Sequence, residues 1–329
     1  MEGSSACVLG AGVVGLTTAL LAQERGAKVT ILADKFRKET TSDGAAGIFR
    51  PSPSFFIISP EITKELIHYS YHYYKKLSVE IDAGVKPVSG YFLSKINPSH
   101  VRNHLLEDVV PEYRSMTEDE MNQFPGGWKW GSYYSTLLIE CRFFLPWAEK
   151  RFNERGGIII EASISSFNDV KMYGNFDVVF NCTGYGAKFL CNDHKMVPLS
   201  GQIYKVDAPW CDKFIYGEED TYIIPGYLLT VGGSRHFESF RTKPCPNDGA
   251  AIWSRAKALL PQLSPMQIRR QWVGVRPYRD GGVRVQTEII NGIKVVHNYG
   301  HGGYGVTSAP GTAFHALQLA EQLLAPSKF

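Results

Sequence analysis

The sequence has almost no excess of charge of either sign: it contains 35 Lys and Arg and 32 Asp and Glu, for a net charge of +3. No block of five or six basic residues occurs, so a nucleic-acid partner is not expected. The longest mainly apolar run, 6–22, has 17 residues including three glycines and two threonines, which is short for a membrane span. A chain of 329 residues that is 44% hydrophobic and 20% charged is therefore predicted to be a soluble globular protein without a membrane segment.

Paired cysteines are also lacking. The six cysteines include no CxxC pair, which excludes a zinc ribbon and a thioredoxin motif. Cys7 and Cys182 lie in apolar stretches, as expected for buried thiols in a reducing compartment rather than for a secreted disulfide framework. His297 and His301 are separated by Asn-Tyr-Gly and do not share a helical face, so we predict no metal site there. The amino-terminal residues lack the basic segment of a cleaved signal, and none is expected.

A glycine motif opens the chain. Gly10, Gly12 and Gly15 have the GxGxxG spacing after a short apolar strand and at the start of an apolar helix. The first glycine permits a tight turn, the second lets the backbone approach a pyrophosphate, and the third lets helix and strand pack closely. Asp34, at the end of the next predicted strand, is placed to accept from a ribose hydroxyl. The pattern predicts a dinucleotide site.

The spacing alone does not separate FAD from NAD. A flavoenzyme that is reduced by a nicotinamide cofactor usually carries two such fingerprints, whereas this chain has one. Two further glycine-rich turns, 44–47 and 300–305, could bring backbone close to a large ring that is held permanently. These turns favour FAD.

The remaining pattern predicts an α/β chain in which a Rossmann-like FAD-binding domain carries an inserted antiparallel-sheet substrate domain. Strands are expected at 6–9, 28–32, 157–161, 177–181 and 294–298, and helices from the glycine motif to 26 and at 61–77, 145–155, 250–260 and 312–324. Short β-rich runs fill 199–288, and 40–53 is predicted to be a loop. We assign 1–75, 141–198 and 291–329 to the FAD-binding domain, and 76–140 and 199–290 to the substrate domain.

At this point the chain resembles the D-amino-acid oxidase family, FAD enzymes that oxidise D-amino acids. The resemblance covers almost the whole chain in ordered blocks: VLGAGVVGLTTAL, TTSDGAAGIFRP, DVVFNCTGYGA, SGQI, TYIIPG, VGGSR, GVRPYR and HNYGHGGYGVT. It implies a peroxisomal oxidase in which a hydride passes from the substrate α-carbon to flavin N5, with O2 as the acceptor and hydrogen peroxide, a 2-oxo acid and ammonia as products. Because orientation matters more than proton transfer in such a reaction, we predict no general base.

The resemblance also implies roles for individual residues. Arg276 matches the arginine that binds the substrate carboxylate, Tyr222 matches the tyrosine that donates to it, and the Gly303 carbonyl matches the group that receives the substrate amine. Thr307 matches the residue that bonds the flavin pyrimidine oxygen, and His301 is interpreted as a flavin-loop residue. The remaining expected cofactor contacts are Gly10, Ala11, Gly12, Val13, Val14, Gly15, Asp34, Lys35, Thr41, Ser42, Ala45, Ala46, Gly47, Cys182, Thr183, Gly184, Gly302, Gly303, Tyr304 and Gly305.

Substrate choice depends on a second cation. Arg235 in VGGSR resembles the arginine with which the D-aspartate oxidase branch binds the second carboxylate, which favours acidic D-amino acids, D-aspartate or D-glutamate. Gly303-Tyr304 instead resembles the branch for neutral D-amino acids. Arg50 departs from both branches and is either a second cation for an acidic side chain or a solvated loop residue. The acidic residues 218–220 are expected to face solvent.

Two rivals stay open from the sequence: a non-catalytic flavin-binding protein, and a glycine- or sarcosine-oxidase-like amine oxidase. Ser327-Lys328-Phe329 is close to the SKL tripeptide that the peroxisomal import receptor reads, so we expect peroxisomal matrix localisation. The sequence leaves the oligomeric state open, and a homo-oligomer is compatible with it.

Overall fold

A six-stranded sheet joins the two ends of the chain in the computed structural model, which describes residues 1–325. Its spatial order is β14-β15-β7-β1-β2-β6. The strands from β15 to β6 are parallel to their neighbours, and β14 is an antiparallel edge. The predicted rejoining of first and last segments in one sheet is therefore confirmed. The strands are β1 (Ser5–Leu9), β2 (Lys28–Ala33), β6 (Ile158–Glu161), β7 (Val178–Asn181), β14 (Arg284–Ile290) and β15 (Ile293–Tyr299).

A mainly antiparallel sheet forms the second layer, in the order β12-β8-β11-β10-β9-β3-β5-β4, with β13 paired to β8. Its strands are β3 (Val85–Ser94), β4 (Glu112–Ser115), β5 (Trp130–Ile139), β8 (Met196–Asp207), β9 (Phe214–Tyr216), β10 (Tyr222–Ile224), β11 (Leu229–Gly232), β12 (His236–Phe237) and β13 (Gln267–Arg279). The mixed α/β fold with an inserted antiparallel sheet is thus confirmed. One assignment is wrong: β14, which was placed in the β-rich insertion, pairs with β15 along its whole length in the other sheet.

The helices pack on the six-stranded sheet and beside the second one. They are α1 (Val13–Glu24), α2 (Pro60–Leu77), α3 (Glu118–Asn122), α4 (Cys141–Glu154), α5 (Ala187–Leu190), α6 (Pro246–Leu259) and α7 (Gly305–Leu324). Helix α1 is buried along nearly its whole length between α4 and α7, which explains why the sequence of this helix is apolar on every side. The aromatic positions of α2 bury Tyr71 and Tyr74 in the main core.

Helix α7 begins seven residues earlier than the sequence predicted, at Gly305 instead of 312. Pro310 inside this helix has no N–H group, so it cannot donate to the Val306 carbonyl four residues before it. The hydroxyl of Tyr74 donates to that carbonyl instead, at 2.8 Å. A residue from α2 therefore replaces the missing helical hydrogen bond, a compensation that local sequence does not reveal.

The six cysteines are free thiols, as the sequence predicted. Within residues 1–325, no helix is long and apolar enough to cross a membrane. The Ser327-Lys328-Phe329 tripeptide lies outside the described residues.

Candidate active site

A cavity of about 1040 Å³ lies between the two sheets and collects residues from both ends of the chain. Its walls extend from the carboxyl ends of β1 and β2, past the first turn of α7, to β10 and β13 of the second sheet. Ligands of α/β proteins bind at the carboxyl ends of parallel strands, so the position agrees with the predicted dinucleotide site.

The glycine turn forms one end of the cavity. Gly10 has φ +104°, and a Cβ atom there would lie 2.6 Å from the Cys182 carbonyl oxygen. Gly15 does not line the cavity; it lets α1 approach the turn so closely that a Cβ would overlap the Gly10 carbonyl. Gly12 lines the cavity in an ordinary extended conformation, with φ −77° and ψ −178°. The first and third glycines are thus needed by the protein fold, whereas the second leaves space for a ligand.

The acidic residue predicted to bind a ribose follows β2. Asp34 is exposed and lines the cavity beside the glycine turn. The helix N-terminus of α1 presents N–H groups and the positive end of its dipole to the same space. The Val13 N–H donates to the Ser42 hydroxyl at 3.1 Å, which holds the loop after β2 over the turn.

All other expected cofactor contacts also line this cavity: Ala11, Val13, Val14, Lys35, Thr41, Ser42, Ala45, Ala46, Gly47, Cys182, Thr183, Gly184, Gly302, Gly303, Tyr304, Gly305 and Thr307. Their individual contacts with a cofactor remain predictions. Sequence reasoning missed Ala162, Ser163 and Ile164, which line the wall beside Asp34. Strand β6 was predicted and pairs in parallel with β2, so the residues after its carboxyl end could have been found from the same edge-of-sheet argument.

The two histidines near the carboxyl-terminal loop do not form a pair. His297 is fully buried, and its Nε2 lies 3.0 Å from the Glu288 carboxylate. The Nε2 of His301 lies 3.0 Å from the Thr312 hydroxyl, and burial lowers the pKa of His301 to about 3. His301 is therefore neutral at physiological pH and lines the cavity as a loop residue. Within the described part of the chain, no group of three or more His, Cys, Asp and Glu side chains could hold a metal ion.

At the other end of the cavity, Arg276 and Tyr222 come together from β13 and β10. The guanidinium donates from Nη1 to the Ser234 carbonyl at 3.2 Å, which fixes one edge of its planar fork. A Cβ at Gly201 would overlap this guanidinium. The glycine at this position of β8 therefore leaves room for the Arg276 side chain, which extends across β8 from β13. Burial raises the pKa of Tyr222, while Arg276 opposes the rise, so the phenol stays a neutral hydroxyl donor. A planar cation beside a hydroxyl donor is suited to a carboxylate.

Arg235 lines the same cavity but already has an internal partner. Its Nη2 lies 2.9 Å from Asp220 Oδ1, and its side chain is 50% exposed. The expectation that residues 218–220 all face solvent is wrong. Glu219 is exposed, but Asp220 lines the cavity and Glu218 accepts from the Ser94 hydroxyl and from the Lys95 N–H. Asp220 and Glu218 turn away from solvent because each meets hydrogen-bond donors: Asp220 pairs with Arg235, and Glu218 accepts from the strand end at 94–95.

Arg50 is not a solvated loop residue. It is partly buried and lines the cavity, with its guanidinium carbon 4.6 Å from the ring centres of both Phe92 and Tyr216. Aromatic faces attract cations, so this stack fixes the guanidinium in the cavity wall. Phe92 and Tyr216 were not expected at the site, because strands β3 and β9 carry no glycine or charged motif that marks them.

Comparison with known proteins identifies the cofactor. The family described as FAD dependent oxidoreductase matches residues 5–319. The chain belongs to this family. FAD is therefore its cofactor, as the sequence predicted, and the fold and the glycine turn agree with that assignment.

Other D-amino-acid-oxidising flavoproteins are similar to the chain over nearly its whole length. A D-aspartate oxidase of Homo sapiens is 37% identical over 98% of this chain and 96% of its own length. A D-amino acid oxidase of Dugesia ryukyuensis is 31% identical over 98% of each chain. Among solved structures, glycine oxidase from Geobacillus kaustophilus superposes with a TM-score of 0.81 and 17% identity, covering 100% of this chain and 97% of its own. That last likeness concerns the fold.

The residues of this family member fit an FAD. A Cβ at Gly12 would meet only the Ser42 hydroxyl oxygen, at 3.3 Å, so the turn leaves room at the helix N-terminus, where a pyrophosphate would bind. The first turn of α7 presents a second helix N-terminus to the cavity, with Thr307 buried beside the Ile48 carbonyl at 3.4 Å. The N-terminus of α1 suits the phosphates of a dinucleotide, and Asp34 at the end of β2 suits its ribose. The N-terminus of α7 suits an electron-rich ring.

Proposed function

We propose that this protein is an FAD-dependent oxidase of acidic D-amino acids. The observation that carries the proposal is the Arg276 and Tyr222 pair in the FAD cavity, together with two further guanidinium groups, Arg50 and Arg235, on the same cavity wall. One cation is enough for a monocarboxylate, whereas a dicarboxylate requires a second, because a desolvated carboxylate without a partner is costly. Similarity to the human D-aspartate oxidase along the whole chain supports the same substrate class.

The proposed reaction converts a D-amino acid, O2 and water into a 2-oxo acid, ammonia and hydrogen peroxide. The α-hydrogen leaves the substrate with its electron pair, the C–N bond becomes an imine, and water hydrolyses that imine. FAD, when bound, would supply the two-electron acceptor, with O2 as the final oxidant. Two electrons leave the amino acid and two reach O2, so the reaction balances.

The side chains orient the substrate. Arg276 binds the α-carboxylate through two parallel N–H donors, and the Tyr222 hydroxyl donates to the same carboxylate. The carbonyl of Gly303, an exposed residue in the short turn before α7, accepts from the substrate amine. Because His301 is neutral and bonded to Thr312, we assign no general base, and the rate depends on the near-attack geometry that these contacts fix.

A second candidate is an oxidase of neutral D-amino acids. The ion pair between Arg235 and Asp220 favours this candidate, because a carboxylate of the protein already neutralises one of the two extra arginines. The Gly303-Tyr304 sequence points the same way.

The test is hydrogen peroxide production by purified, FAD-loaded protein with D-aspartate, D-glutamate, D-alanine, their three L-forms, glycine and sarcosine. We expect turnover of the acidic D-forms far above that of D-alanine and none of the L-forms. Turnover of D-alanine in preference to D-aspartate would establish the second candidate. Turnover of glycine or sarcosine alone would establish an amine oxidase, and no turnover by the loaded protein would establish a flavin-binding protein without this activity.

We also propose that the protein is imported into the peroxisomal matrix through the Ser327-Lys328-Phe329 tripeptide, which is close to the receptor-read SKL address. A compartment of this kind suits an enzyme that releases hydrogen peroxide. Expression of a fluorescent protein that carries the last residues of this chain, with and without the final tripeptide, tests import. A diffuse signal from the complete tail would contradict it.

A further inference from the structure

Arg50 is a partly buried cation for which the described part of the protein supplies no anion. Within residues 1–325, its guanidinium makes no ion pair and no hydrogen bond of ordinary length and angle; its close contacts are the faces of Phe92 and Tyr216. The titratable groups nearest to it are phenols, not carboxylates. The hydroxyl of one of them, Tyr134, is buried, lies close to the guanidinium and makes no hydrogen bond of ordinary geometry. Donors left unpaired in a protein interior point to an acceptor that arrives with a ligand.

The position of Arg50 relative to the α-carboxylate site is set by one ring. Tyr216 lies 4.6 Å from the Arg50 guanidinium carbon and 5.7 Å from the Tyr222 ring, and all three residues line one continuous cavity. The two carboxyl carbons of a four-carbon amino diacid are about 4 Å apart, and a carboxyl carbon sits about 4 Å from the guanidinium carbon that binds it. The two distances put the Arg50 guanidinium carbon no more than about 10 Å from the Tyr222 ring centre, a span that matches a dicarboxylate with one carboxylate bound at each end.

Arg235 is the weaker candidate for the same carboxylate. It is half exposed and is already neutralised by Asp220 at 2.9 Å, so a substrate would have to displace an internal carboxylate in a solvent-screened place. Arg50 is partly buried and has no such competitor. Attraction between charges grows as the surroundings become less polar, which favours Arg50, the less exposed of the two guanidinium groups.

We propose that Arg50, not Arg235, binds the distal carboxylate of the substrate and selects acidic D-amino acids. This inference rests on the proposed function and names the residue that carries its specificity. Phe92 and Tyr216 act as positioning residues, because their ring faces hold the guanidinium in place without contacting the substrate carboxylate.

The test compares D-aspartate with D-asparagine, which has the same shape but no distal charge, in the holoenzyme and in the matched variants Arg50→Gln and Arg235→Gln. We expect Arg50→Gln to lower the ratio of kcat/KM for D-aspartate over D-asparagine about 100-fold, the loss expected for a charge-assisted contact. The ratio for Arg235→Gln should stay near that of wild type. Arg50→Lys, which keeps the charge but loses the planar fork, should recover part of the ratio. Because each ratio is taken within one protein, a loss of folded enzyme cancels.

A second readout does not need turnover. Succinate should raise the unfolding temperature of the wild-type holoenzyme more than butyrate does, and Arg50→Gln should abolish the difference. A large fall in the ratio for Arg235→Gln with no fall for Arg50→Gln, or an equal loss on both substrates for Arg50→Gln, would overturn the inference while leaving the proposed function intact. A wild-type enzyme that oxidises D-asparagine but not D-aspartate would overturn the proposed function itself.

Discussion

Replacing Gly12 with alanine is expected to weaken FAD binding while leaving the apoprotein nearly as stable as before. The backbone of Gly12 has φ −77° and ψ −178°, which alanine adopts freely. An added methyl group would meet only the Ser42 hydroxyl oxygen, at 3.3 Å. The cost to the apoprotein should stay below about 1 kcal/mol, the usual difference between glycine and alanine at a helix N-cap.

The methyl group would, however, stand between the helix N-terminus and the pyrophosphate. Loss of one hydrogen bond to a charged group costs about 1.5–3 kcal/mol, so we expect the Kd for FAD to rise about 10- to 150-fold. Titration of the apoprotein with FAD, followed by flavin fluorescence, measures this change, and thermal unfolding of the apoprotein measures the stability.

Gly15→Ala is the matched control, since it adds the same methyl group one helical turn away. Its Cβ would overlap the Gly10 carbonyl and does not face the cavity. The backbone must shift, so we expect this variant to lose about 1–3 kcal/mol of stability already as apoprotein. An unchanged FAD affinity for Gly12→Ala, or an apoprotein as unstable as that of Gly15→Ala, would refute the assignment of Gly12 to the pyrophosphate.

Three other outcomes are expected. Arg276→Leu should lower kcat/KM on every D-amino acid by at least about 100-fold while the flavin spectrum is retained, since the variant lacks the charge-assisted contact with the α-carboxylate; turnover near that of wild type would contradict its role. Burial raises the pKa of Asp193, but hydrogen bonds from Arg279 and from the Tyr299 hydroxyl outweigh burial and leave it below its ordinary value. Asp193→Asn should therefore cost about 3 kcal/mol at neutral pH by leaving Arg279 unpaired, and urea unfolding should show this difference shrinking as the pH falls through the lowered pKa. Burial lowers the pKa of Lys205 to about 8, so the unfolded chain binds more protons than the folded one between pH 8 and the ordinary lysine pKa. Lys205→Met should therefore be more stable than wild type by up to about 3 kcal/mol at pH 7, and this advantage should fall as the pH rises through that range. A difference in stability that does not depend on pH would contradict the lowered pKa.

The parts of the site that were predictable from sequence are the ones that one short segment determines. The glycine turn was predictable because its strand, turn and helix are adjacent, and the position of Asp34 follows from the next strand. Arg276 and Tyr222 were placed by resemblance, and their meeting across β13 and β10 depends on strand pairing that no local pattern encodes.

The parts that were missed depend on partners distant in the sequence. The start of α7 was misplaced because Pro310 and its neighbours are poor helix formers, and Tyr74 compensates from another helix. The pairing of Asp220 with Arg235 and the stacking of Arg50 on Phe92 and Tyr216 join loops and strands whose order in space only the folded sheets define. A solvated arginine and a stacked one look identical in a sequence.

The arrangement of the six-stranded sheet also determines when the cofactor can be held during biosynthesis. The glycine turn follows β1, but β15 and the first turn of α7, which complete the opposite wall of the cavity, come almost three hundred residues later. At a synthesis rate of about 5–20 residues per second, the amino-terminal half of the site waits for at least about 15 seconds for its counterpart. During that interval the nascent chain exposes the apolar strand faces of an incomplete sheet. The complete FAD site therefore exists only after nearly all of the chain has been made.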